Sequence, residues 1–179
     1  MRHSIIRYSL LLAVIAFVLP SAVFAQKDKS KRASPPATAT GKIGEATVTI
    51  DYSSPSVKGR KIWGDLVPYD KVWRAGANEA TIITTDKNIK ILGKLLPPGK
   101  YSLYAIPGEK EWTIILNFET GQWGVKMDGS TTEDPTKDVF RVTVKPEKSK
   151  SFTENLTYSV DSKGFALVWE NVEVFVRVK

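Results

Sequence analysis

The residues best placed to do chemistry lie in one stretch, Val72-Trp73-Arg74-Ala75-Gly76-Ala77-Asn78-Glu79-Ala80-Thr81, which gathers an aromatic ring, a guanidinium, an amide, a carboxylate and a hydroxyl around one glycine. A guanidinium presents a planar fork of donors that fits a carboxylate or phosphate. Arg74 and Glu79 stand five apart across Gly76. A turn there either joins them as a pair that pins the loop or aims them separately at a ligand, and the spacing leaves both open. In the second case Asn78 and Thr81 complete the hydrogen bonds of Arg74. Trp63, Trp73 and Trp123, outside regular strand patterns, offer flat faces on which a sugar ring could stack. Trp112 alternates with Ile114 and Leu116 and belongs to a core face. Arg60, beside the turn residue Gly59, is a further basic candidate.

Carboxylates are the other chemistry at hand. Asp51, Asp65, Asp70 and Glu79 could supply the two acids that glycoside hydrolysis needs, with Glu79 and Asp65 as the pair to consider. Four acids over this span are ordinary in a chain with 19 Asp and Glu residues. No loop has the dense Asp/Asn/Gly spacing of a calcium site, so no metal is expected, and no motif calls for a cofactor. The sole histidine is His3, and there is no cysteine. Without them a mature chain has no Ser-His-Asp triad, no thiolate nucleophile and no zinc site of the common kinds. These exclusions weigh against an enzyme.

The charge of +7 is misleading until it is located. Arg2, Arg7, Lys27, Lys29, Lys31 and Arg32 precede Gly41 with Asp28 as their one acid, so the remainder is close to neutral. Neither a nucleic-acid groove nor a basic membrane patch is indicated. Arg2 and Arg7 lead into an apolar run from Leu10 to Leu19 and then the small-residue exit Ser21-Ala22-Val23-Phe24-Ala25. This reads as a secretory signal peptide over residues 1–25, which implies an exported protein, periplasmic or extracellular, without membrane insertion after cleavage. Residues 26–40, rich in Lys, Ser, Ala and Pro, read as a disordered basic linker.

Residues 41–179 read as a single domain that must position the candidate residues. Ala46, Val48, Ile50 and Tyr52 alternate with polar residues as a half-buried strand. From Pro55 to Asn78 the alternation fails, which indicates one long structured loop packed by Trp63, Tyr69 and Trp73. Ala80–Thr85 and Ile89–Leu92 suggest a hairpin around Asp86-Lys87-Asn88. The strands at Tyr101–Ile106 and Trp112–Asn117 carry apolar residues on both faces, as expected of central strands covered twice. Gly121, Trp123 and Gly124 lead into a polar stretch, Asp128 to Asp138, that reads as an exposed loop, and further strands follow from Val139 to the end. About eight or nine short strands without a three-turn helix predict an all-β fold, an antiparallel β-sandwich or jelly roll.

Three segments in order, Asp51-Tyr52-Ser53-Ser54-Pro55-Ser56-Val57-Lys58-Gly59-Arg60, then Leu66-Val67-Pro68-Tyr69 with the Val72–Thr81 stretch, then Pro98-Gly99-Lys100-Tyr101-Ser102-Leu103, resemble the secreted bacterial family catalogued as domain of unknown function 2911. The resemblance implies an extracytoplasmic, mostly β domain and brings no catalytic residues or ligand. The expected function is therefore that of a binding module for a small molecule or glycan, held by Trp73, Arg74, Asn78, Glu79 and Thr81 with Arg60, Trp63 and Trp123. A carboxylate-based hydrolase and a purely structural envelope protein are the alternatives.

Overall fold

The alternating stretch that starts at Ala46 forms a strand, Ala46–Ser53 (β2), with Ala46, Val48 and Ile50 buried and the threonines between them half-buried. Successive side chains of an extended chain point to opposite faces, so this pattern fixes which face meets the core. The computed structural model describes residues 28–179, and the expected signal peptide lies outside them. The other strands are Pro36–Ile43 (β1), Thr81–Thr85 (β3), Ile89–Ile91 (β4), Lys94–Leu96 (β5), Gly99–Ile106 (β6), Trp112–Asn117 (β7), Asp138–Val144 (β8), Pro146–Asp161 (β9) and Gly164–Arg177 (β10). Among the described residues the fold is all-β, with two single-turn 3-10 helices and no α-helix.

Six strands form one antiparallel sheet in the order β1-β2-β3-β6-β7-β8. The long hairpin β9–β10 packs across it as a second layer, giving a sandwich. Between the layers, Ile50, Ile83, Leu103 and Leu116 of the sheet meet Leu156, Phe165, Leu167, Val174 and Val176 of the hairpin. Burying one such side chain contributes about 1.5–3 kcal/mol, so this interface dominates stability. A void between the layers, bordered by Leu103, Ile114, Phe165 and Val176, measures only ≈ 10 Å³.

Two expectations are corrected. The chain from Pro36 to Thr40 is not a disordered linker; it is the start of β1, paired with β2 from Pro36 opposite Ser53. Its Thr and Ala residues lack a hydrophobic signature because an edge strand needs the backbone bonds of one neighbour, and Pro36 at the strand's first position forfeits little. Ahead of it Lys29–Lys31 makes one 3-10 turn capped by the Asp28 carboxylate. Second, β3 and β4 do not form a hairpin. β3 pairs with β2 and β6, while β4 turns away to pair with β5 and touches the end of β10 through Ile91 and Val178. The tight hairpin lies at Leu92-Gly93, both at positive φ, the conformation a two-residue turn of matching twist requires.

The central strands β6 and β7 are covered on both faces, as their sequences indicated. On the outer face Ala80, Tyr104 and Ile115 form a small cluster with Val72 and Ile106. The loop between β7 and β8 is fastened near that face by Arg141, which donates to the buried Glu133 and to Asp138, each at 2.7 Å. Burial and the nearby Asp138 charge raise the Glu133 pKa against the opposing pull of Arg141.

Candidate binding site

The Val72–Thr81 stretch sits at the end of the sheet as a loop with two unlike sides. It is anchored by a two-way backbone bridge in which Trp73 N–H donates to Ala105 C=O at 2.7 Å and Ala105 N–H returns to Trp73 C=O at 2.9 Å. The neck closes where Thr81 N–H donates to Arg74 C=O at 3.2 Å. Between these points Ala75 and Asn78 both hold positive φ, a conformation that non-glycine residues adopt only under constraint. The constraint is visible underneath. The Thr81 and Tyr158 hydroxyls each donate to the Ala75 carbonyl at 2.9 Å, and Trp73 Nε1 donates to Gly76 C=O at 3.1 Å. Gly76 is required by space: a Cβ there would lie 2.8 Å from Thr81 Oγ1 and 3.2 Å from the Ser53 carbonyl oxygen.

The tryptophans divide by the same logic. Trp63 is buried and edge-on to three others, Trp73, Trp112 and Trp169, with ring centroids 5.8, 4.9 and 5.7 Å away. It is core, not the accessible platform its position outside a strand suggested. Trp73 is half-buried and lies nearly parallel to Trp169, at 16° and 6.2 Å. Trp123 stands exposed on the loop after β7.

On the outer side, Arg74 and Glu79 do not pair with each other. Glu79 is held by Arg32 at 2.7 Å and Lys29 at 3.0 Å, residues of the segment that precedes β1. Burial alone would raise its pKa, but hydrogen bonds from Arg32, its own backbone N–H and Lys29 bring it down to about 2. Asn78 Nδ2 donates to the Ser34 carbonyl at 2.8 Å. Arg74 instead donates to the Trp123 carbonyl at 3.2 Å and lies 6.0 Å from that ring's centroid, with Arg32 at 5.8 Å. Among the described residues no carboxylate lies within ion-pair distance of Arg74. Burial pulls its pKa down, and the Glu79 charge acts in the opposite sense. Gly124 permits this placement, since a Cβ there would fall 2.6 Å from Arg74 Cβ.

Beside Arg74 runs a groove of ≈ 850 Å³, within the size of small-molecule sites. One wall comes from the long loop before β3, through Arg60, Asp70, Lys71, Trp73 and Arg74; the other comes from Val125 and Asp128 to Thr131. Arg60 is pinned by its own backbone, donating through Nε to Val57 C=O at 3.1 Å and through Nη2 to Ser56 C=O. Asp128 caps its loop by accepting from the Ser130 N–H and hydroxyl. Lys71 has no ion-pair partner among the described residues.

Of the residues singled out from the sequence, Arg60, Trp73 and Arg74 line the groove, while Asn78, Glu79 and Trp123 gather at its side around the N-terminal segment. Thr81 is fully buried; its hydroxyl bonds Ala75 and does not complete the bonds of Arg74. Asp65 lies exposed in a turn outside the lining. Asp70, one of the four carboxylates considered from the sequence, does line the groove, whereas sequence reasoning missed Lys71 and the Asp128–Thr131 wall, whose Asp-Gly-Ser composition signals a turn and nothing more. It also missed Arg32 and Lys29, for which no local signal exists. No group of three or more Asp, Glu, His or Cys residues suited to a metal occurs among the described residues, and none of their helices is long and apolar enough to cross a membrane.

A family model described as "Protein of unknown function (DUF2911)" matches residues 34–178. No curated protein and no solved structure matches the chain.

Proposed function

The chain belongs to the DUF2911 family, and we propose that it is a binding module that takes a small anionic ligand, a sugar acid or a similar carboxylate- or phosphate-bearing molecule, in the groove beside Arg74. One observation carries this reading: a half-buried guanidinium lines a groove with a single neutral acceptor and no carboxylate partner among the described residues. Buried cations are ordinarily paired, because an unpaired one forfeits hydration without compensation. A bound carboxylate or phosphate supplies that partner in bidentate form, and Lys71 adds a second positive charge. Trp73 offers an apolar ring face to a sugar, and Asp70 and Asp128 are acceptors for its hydroxyls. The expected signal peptide puts this module outside the cytoplasm.

The hydrolase alternative is disfavoured by Glu79. A carboxyl with a pKa of about 2, already bonded to two cations, does not hold a proton to donate near neutral pH. The experiment that tests binding is a titration of glucuronate, inorganic phosphate and glucose into the protein, followed by tryptophan fluorescence and calorimetry. The anionic ligands are expected to bind and glucose not to, with Arg74→Gln weakening the anions by at least about tenfold, as loss of a charge-assisted pair should. Equal binding of glucose and glucuronate, or anion binding that survives Arg74→Gln, overturns the proposal.

A further inference from the structure

The segment from Asp28 to Pro35 lies across the face formed by Asn78, Glu79 and Trp123, and the way it is held is informative. None of its residues is buried. Its contacts are instead polar and serial. Lys29 and Arg32 meet the two oxygens of Glu79, Arg32 lies over the Trp123 ring, the Ser34 carbonyl accepts from Asn78, and the Pro35 carbonyl accepts from Ser54 N–H at 2.9 Å. A carboxylate for a basic side chain, an aromatic for the guanidinium and two donors for successive carbonyls are the elements that read an extended basic polypeptide. Contacts of this kind, made without apolar burial, weaken with salt and release readily.

We propose that the Asn78–Glu79–Trp123 face is a docking site for an extended basic segment, occupied here by the chain's own Asp28–Pro35 arm acting as a releasable latch. Two features tie the latch to the rest of the molecule. Ser34 forms part of the groove's lining, so the arm helps shape its mouth. Arg32 and Arg74 both lie near the Trp123 ring, so release of the arm removes one of the two guanidinium contacts of the residue whose carbonyl holds Arg74. Glu79 and Asn78 do not line the groove, and the docking site stands independently of what Arg74 binds.

The test uses a synthetic peptide with the sequence of residues 28–35. It is titrated by calorimetry into the full chain carrying Lys29→Ala and Arg32→Ala, which loosens the tethered arm and leaves the receiving face unaltered. Saturable binding is expected, weaker by at least about tenfold in 500 mM than in 50 mM salt. The same peptide with both basic residues replaced by alanine should not bind, and adding Glu79→Gln to the receiver should cut affinity by at least about tenfold. Unmodified protein should not take up the peptide, because its tethered arm competes at an effective concentration on the order of millimolar. Equal binding of the two peptides, or no binding to a receiver that circular dichroism shows to be folded, overturns the proposal. The alanine peptide leaves the protein untouched, so that comparison holds even if Glu79→Gln disturbs the fold.

Discussion

The underside and the outer side of the Val72–Thr81 loop are built from neighbouring residues yet obey opposite rules. Below, Ala75, Gly76 and Thr81 are buried: two hydroxyls converge on one carbonyl, and the space for a methyl group is absent. Above, Arg74, Asn78 and Glu79 are partly exposed and their partners come from distant segments: a loop carbonyl and an arm. The difference teaches that one motif both braces the fold and presents a site, so that changes one residue apart should have unlike consequences.

The largest effect is expected where the underside is stripped of its donors. Thr81→Val and Tyr158→Phe should each cost about 1 kcal/mol in urea unfolding, since the other hydroxyl still satisfies Ala75. Together they should cost about 3 kcal/mol, more than their sum, because the buried carbonyl then has no partner. Strict additivity would show that the two hydroxyls do not share it. Next comes Gly76→Ala, whose methyl meets Thr81 and the Ser53 backbone; a loss of about 2 kcal/mol is expected, and an unchanged midpoint would remove the steric argument for that glycine.

Glu79 belongs to the outer side and should reveal itself through pH. Its folded pKa, about 2, is depressed below its ordinary value, so its contribution is fully present above about pH 4.5 and is lost as pH falls through the folded value. Because the side chain is 34% exposed, solvent screening holds the contribution to about 1–2 kcal/mol. Glu79→Gln should flatten the acid limb of a stability-against-pH curve by that amount, and an identical limb would place the ion pairs outside the folding balance. The smallest stability change is expected for Arg74→Gln, within about 0.5 kcal/mol, as for a surface substitution without a satisfied buried partner. A loss near 3 kcal/mol would move Arg74 to the bracing side and sink the comparison.

Much of the scaffold was legible from local pattern. Alternation located β2, β6 and β7, and the apolar residues on both faces of the last two marked them as central. The failure of alternation from Pro55 to Asn78 correctly marked a packed excursion held by Trp63 and Trp73. Where reading failed, the deciding contact was long-range. β1 has no hydrophobic signature because its neighbour β2 supplies its bonds. β4 follows β3 closely in sequence but pairs with β5, and its Ile91 bridges Val178, just past the end of β10, instead of returning to β3.

The sequence by itself determined that the described chain is all-β, that neither thiol nor imidazole chemistry is open to it beyond His3, and that Arg74, Asn78, Glu79 and Thr81 lie close together in the chain around Gly76. These follow from composition and from the two-residue period of an extended chain, which need no knowledge of neighbours. Only the tertiary structure decided which side of the motif each residue serves. Trp63 and Trp73 are the same residue type in the same loop, yet one is sealed in a four-tryptophan cluster and the other opens on the groove. The spacing left open whether Glu79 pairs with Arg74; it pairs instead with Arg32, 47 positions earlier in the chain. A charge finds its partner through space, and the sheet carries β1 and its preceding arm past Glu79 while leaving Arg74 facing the groove.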